Sequence, residues 1–101
     1  MLARVARYEI NPERCDEAVD AFMESAQSIA GMDGLERGYV LVDSENGGVM
    51  TITFWRDDNT AEASAVAATR ARRRAVEAVD GDVLSVQSFD VVRDFGDSSG
   101  S

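Results

Sequence analysis

Over the first ten residues apolar and polar positions alternate: Leu2, Ala6, Tyr8 and Ile10 fall on one side together with Arg4, and Val5, Arg7 and Glu9 fall on the other. A period of two marks a strand, because successive side chains leave a pleated backbone on opposite sides. Asn11-Pro12 then supplies a helix cap followed by proline at the first helical position, where its missing N–H is no loss. From there the period changes. Cys15, Ala18, Phe22, Met23, Ala26 and Ile29 recur at three- and four-residue spacing, with Asp16, Glu17, Asp20 and Glu24 opposite. This predicts an amphipathic helix from near Pro12 that stops at Gly31.

Two extended segments follow, about residues 35–42 and 49–55, joined by a turn through Ser44-Glu45-Asn46-Gly47-Gly48. Asn-Gly is a strong hairpin signal because both residues tolerate positive φ. Thr51, Thr53 and Trp55 share one face of the second segment with Val49, and Met50, Ile52 and Phe54 share the other; the first segment has Leu35, Tyr39 and Leu41 opposite Val40 and Val42. Both faces of the hairpin are therefore rich in large apolar groups. A second helix is expected from about Asn59, with Glu62 completing a capping-box-like pair, to about Val79. Its inner stripe is mostly alanine and valine, which permits close approach to a sheet. At 100° per residue Arg70, Arg73 and Arg74 point away from that stripe, while Arg72 lands within it. A last strand is expected over about residues 83–93, then a flexible polar tail over 96–101, leaving residues 1–95 as the domain.

Strand, helix, strand, strand, helix, strand is the order of a ferredoxin-like α+β fold: an antiparallel sheet with two helices on one face. The other face has no cover within the chain. An apolar sheet face left open implies a second copy packed sheet to sheet, hence a homodimer.

Composition narrows the function classes. A chain of 101 residues makes one domain, and no apolar run approaches the roughly 20 residues that span a bilayer. The alternating start does not resemble a signal peptide, so the expected location is cytoplasmic. The net charge is −9, and all ten basic residues are arginine. Nucleic acid and anionic membranes are disfavoured as partners. Acidity without lysine fits both a high-salt cytosol and codon bias in a GC-rich genome. Histidine is absent, which removes imidazole catalysis, the common zinc sites and histidine-ligated haem. The lone Cys15 excludes an internal disulfide, and its place on the apolar stripe reads as core. No ordered spacing of metal ligands is present.

The element order, the length, Gly34-Leu35 opening the second strand, and Phe54-Trp55 followed by an acidic segment and an alanine-rich helix resemble the antibiotic biosynthesis monooxygenase family of dimeric α+β barrels, over about residues 2–95. The resemblance implies a pocket between sheet and helices, used in various members to oxygenate polycyclic phenols without metal or flavin, or to degrade haem. It also implies an active-site role for the tryptophan that ends the third strand, here Trp55. The haem-degrading branch uses a histidine on the second helix and an asparagine in the first strand. Here there is no histidine, and Ala6 stands at the asparagine position. The expectation is a cofactor-independent monooxygenase acting on a small aromatic or polyketide-like substrate, with no cofactor and no metal. Trp55 and Arg72 are its catalytic candidates, and Tyr8, Tyr39 and Phe54 its pocket walls. The alternative is a non-catalytic dimer that binds a small apolar ligand or serves a structural role. Arg72 has three possible settings: the pocket, a pair with a carboxylate such as Asp90, or the outside of a broken helix. Trp55 has two, sheet packing alone or pocket lining. The arginines at 70–74 read as a solvated face or an anion site, and Asp57 and Asp58 as the start of the second helix.

Overall fold

A computed structural model describes residues 1–96. Its elements are β1 (Leu2–Glu9), a 3-10 turn (Pro12–Arg14), α1 (Cys15–Ile29), β2 (Leu35–Asp43), β3 (Gly48–Trp55), α2 (Asp58–Ala63), α3 (Ala65–Ala78) and β4 (Asp82–Asp90). The expected tail lies almost wholly outside the described residues.

The four strands form one open antiparallel sheet in the order β2-β3-β1-β4, the ferredoxin-like arrangement. Central β1 pairs with β3 from Leu2 opposite Trp55 to Glu9 opposite Gly48, and with β4 along its other edge. This register aligns Arg4, Ala6 and Tyr8 with Thr53, Thr51 and Val49, and α1 and α3 cover that face. Beneath them Tyr8 packs on Phe22, ring centroids 4.6 Å apart, among Ala18, Ala75, Val76 and Val79. The alanines let α3 lie close to the sheet, and Cys15 is buried in the same cluster.

Local chemistry sets most boundaries where the sequence pattern puts them. Asn11 accepts a hydrogen bond from the Glu13 N–H at 3.0 Å and starts the helical turn. Between β2 and β3, Gly47 takes φ +76° and its N–H bonds the Asp43 carbonyl at 2.9 Å. The Asp43 carboxylate also accepts from the Asn46 side chain at 2.9 Å, which holds its pKa below the ordinary range.

α1 ends at Ile29, with Ala30 as its cap and Gly31 directly after, as expected. The left-handed residue that follows is Gly34, at φ +88°, where a Cβ would run into the Thr60 side chain. Three boundaries differ from expectation. Asp57, rather than Asn59, caps the second helix by accepting from the Thr60 N–H at 2.8 Å. That helix is not continuous but divides at Ser64 into α2 and α3. Finally, β4 ends at Asp90, short of Arg93; beyond it the Val91 N–H still reaches the Met1 carbonyl at 2.9 Å.

The opposite sheet face presents Val5, Ile52, Phe54, Leu41 and Phe89, and no described element covers it; Phe89 and Leu41 are nearly half exposed. No helix among the described residues is long and apolar enough to cross a membrane.

Candidate active site

Alternation on β1 turns Arg4 inward, toward the helices, and everything distinctive about the site follows from accommodating it. Its Nη2 donates to the Ala61 carbonyl at 2.6 Å, and its Nη1 reaches the Ser64 hydroxyl at 3.5 Å. Its guanidinium carbon lies 5.4 Å from the centre of the Trp55 ring, a cation–π arrangement. The Ser64 hydroxyl, in a residue only 1 % exposed, donates to the same Ala61 carbonyl at 2.7 Å. In an unbroken helix that carbonyl would accept from the N–H of residue 65. Here it is turned to Arg4 and Ser64, which is the physical reason for the break between α2 and α3.

A cavity of about 270 Å³ opens between sheet and helices. Arg4, Tyr8, Thr51 and Thr53 form its sheet side, Phe22 and Ile29 of α1 one wall, and Ala71 and Arg72 of α3 the other. The alanines of α3 leave the volume that larger residues would fill. Tyr8 and Thr51 share a hydrogen bond at 3.2 Å between their hydroxyls. Burial pushes the Tyr8 hydroxyl above its ordinary pKa, and the Thr51 hydrogen bond and the nearby Arg72 charge only partly oppose this. Tyr8 is therefore a protonated donor at neutral pH. Burial, and then the like charge of Arg72, lower the pKa of the Arg4 guanidinium. Among the described residues, no aspartate or glutamate lines the cavity. Among the described residues, no group of three metal-ligating side chains is assembled.

The structure sorts the five sequence-derived candidates. Tyr8 and Arg72 line the cavity together. Arg72 makes no ion pair with Asp90; the helix break comes before it and leaves it facing inward. Arg70, Arg73 and Arg74 are exposed. Trp55 is 0 % exposed and is not a wall of the cavity: it lies beneath Arg4, with its indole N–H donating to the Thr53 hydroxyl at 2.9 Å. Phe54 is on the wrong face for the pocket, since alternation along β3 puts it opposite Thr53. Tyr39 borders the cavity at the β2 edge, but its ring, in a residue 46 % exposed, packs edge-on against Phe54 at 6.2 Å. Arg4, Thr51 and Thr53 escaped the sequence reading. The available signal was an arginine on the inward side of β1.

The sequence model described as antibiotic biosynthesis monooxygenase matches residues 1–78. The chain belongs to this family. No match was found among curated protein sequences. Among solved structures, the fold is similar to that of a provisionally named antibiotic biosynthesis monooxygenase from Deinococcus radiodurans, with 15 % identity and a TM-score of 0.77 over 95 % of this chain and 97 % of that one. It is also similar to SnoaB, a cofactor-independent oxygenase from Streptomyces nogalater, at 16 % identity and TM-score 0.73 over 92 % and 94 % of the two chains. A third is the heme-degrader MhuD from Mycobacterium tuberculosis, at 19 % identity and TM-score 0.71 over 95 % and 100 %. At these identities the likeness is one of fold. Family membership rests on the sequence match.

Proposed function

We propose that this family member is a cofactor-independent monooxygenase that oxidises a small aromatic or polyketide-like phenol in the cavity beneath α1 and α3. The observation that carries the reading is the largely apolar cavity in which a protonated tyrosine and an arginine meet, Tyr8 bonded to Thr51 with Arg72 beside it. The apolar walls lower the local dielectric, and fixed charge favours the phenolate over the phenol. With the phenol proton lost to solvent, the phenolate passes one electron to O₂, and the resulting pair combines to form a C–O bond at the activated ring carbon. Loss of that carbon's remaining hydrogen as a proton, with cleavage of the O–O bond, leaves a ketone and hydroxide. The balance is CH₂ plus O₂ giving C=O plus water, with no external reductant. Tyr8 donates a hydrogen bond to the peroxide oxygen, and Arg72 stabilises the anion. Trp55 acts as a positioning residue through Arg4.

Haem does not fit this chain as it fits an imidazole-ligated site: there is no histidine, and Cys15 is engaged elsewhere, its thiol facing the Ser44 carbonyl. The open apolar sheet face supports a homodimer in which a second copy covers Ile52, Phe54 and Phe89. A competing reading, a binding protein without turnover, is favoured by the lack of any carboxylate or imidazole base among the described residues of the cavity walls.

Oxygen-electrode assays with anthrone-type phenols decide between them. Turnover by metal-free protein that falls at least tenfold in Arg72→Gln and Tyr8→Phe supports the enzyme; saturable binding with no oxygen uptake supports the binder. Sedimentation showing only an 11 kDa species at micromolar concentration would refute the dimer.

A further inference from the structure

We infer that the cavity is built for an aromatic ligand carrying a carboxylate, whose two oxygens bridge Arg4 and Arg72. The inference rests on the reading of this cavity as an aromatic-binding site and names the class of molecule it takes.

Two guanidiniums enter one cavity from opposite sides, Arg4 from the central strand and Arg72 from α3. They sense each other, since the charge of Arg72 lowers the pKa of Arg4. Among the described residues neither makes an ion pair and no acidic side chain lines the cavity, although the chain carries 19 acidic residues against ten basic ones. Arg14, the other half-buried arginine, finds carboxylates at 3.0 Å, and the remaining arginines without an ion pair among the described residues are exposed to solvent. Two uncompensated like charges in a partly buried, low-dielectric space are unfavourable until an anion joins them.

The identity of the anion follows from the donors. Arg4 uses two of its five N–H groups on Ala61 and Ser64, which fixes its plane and leaves donors for a ligand. A phenolate offers one oxygen. A carboxylate offers two, in the planar fork that guanidinium groups match, and so can serve both arginines at once. Beside a few hydroxyl and amide groups the wall is mostly apolar, with Ala6, Phe22, Ile29, Val40 and Ala71 among its residues, which suits a ring system and not a bare ion. A cavity of about 270 Å³ accommodates a small fused aromatic acid.

Calorimetric titration of the full chain with naphthoate, with its uncharged counterpart naphthamide and with inorganic phosphate tests this. Naphthoate should bind at least tenfold more tightly than naphthamide, and the preference should shrink to within about threefold in Arg72→Gln and in Arg4→Gln. Arg72→Gln gives the result on its own if Arg4→Gln fails to fold. Equal binding of acid and amide, or a preference that survives in Arg72→Gln, overturns the inference while leaving the cavity an aromatic site. Phosphate competing as strongly as naphthoate overturns its aromatic half. Binding of neither aromatic compound overturns the cavity reading itself. Absence of oxygen uptake with phenols tests only the proposed turnover.

Discussion

Replacing Arg4 by methionine in the ligand-free protein measures how the site is assembled. The substitution keeps most of the apolar stem and removes the guanidinium, and with it the 2.6 Å bond to the Ala61 carbonyl and the stacking on Trp55. A charge-assisted hydrogen bond contributes about 2 kcal/mol and the ring contact about 1 kcal/mol. Ala61 is not orphaned, because the Ser64 hydroxyl still donates to it at 2.7 Å. Against these losses stands relief of repulsion from Arg72. Two unit charges at an effective dielectric near 20 repel by about 2 kcal/mol even at about 8 Å, and partial solvent exposure of both groups reduces this to about 1 kcal/mol. Arg4→Met should therefore destabilise the protein by about 2 kcal/mol in the wild-type background and by about 3 kcal/mol in Arg72→Gln, where no repulsion remains to be relieved. Urea unfolding of the four proteins of the cycle, at low salt and again near molar salt, reads both values, with the coupling weakening as salt screens it. An equal or smaller cost in the Arg72→Gln background would show that the two charges do not share a cavity, and the argument for an anionic ligand would go with it.

Two further outcomes follow from the geometry. Gly34→Ala forces an L-residue to φ +88° and drives its Cβ into Thr60, so stability should drop by about 3 kcal/mol in urea unfolding; Thr60→Gly in the same chain should recover the steric part and not the backbone part. Tyr8 has a folded-state pKa above 10.0, so as pH rises past 10.0 the unfolded chain releases this proton first and the stabilisation present at lower pH is lost. Between about pH 8 and about pH 11 the wild type should lose more stability than Tyr8→Phe, and parallel losses would contradict burial of that hydroxyl.

The elements of this protein were legible in its sequence because they rest on short-range chemistry: alternation for β1 and β3, the Asn11-Pro12 start of the first helix, Asn46-Gly47 in the hairpin, and an apolar stripe through Cys15 and Phe22. The same parities put Tyr8 on the face that β1 shares with Arg4 and set Arg72 within its helix stripe, and both side chains line the cavity. They equally set Phe54 apart from Thr53, on the face away from the helices, so its large apolar ring does not make it a wall of the cavity. Other features depend on groups distant in sequence. The break at Ser64 exists because Arg4, sixty positions earlier, takes the Ala61 carbonyl, and no local pattern in an alanine-rich helix encodes that competition. Trp55 was marked by its place at the end of a strand, but only packing put it beneath Arg4 and out of the cavity. The sequence by itself determined which side of each element faces inward, since that depends on periods of two and 3.6 residues. Only the tertiary structure decided which inward groups meet, and so brought Arg4 and Arg72 into one cavity, because the balance of desolvation, repulsion and hydrogen bonding there is struck between residues that nothing in the linear order connects.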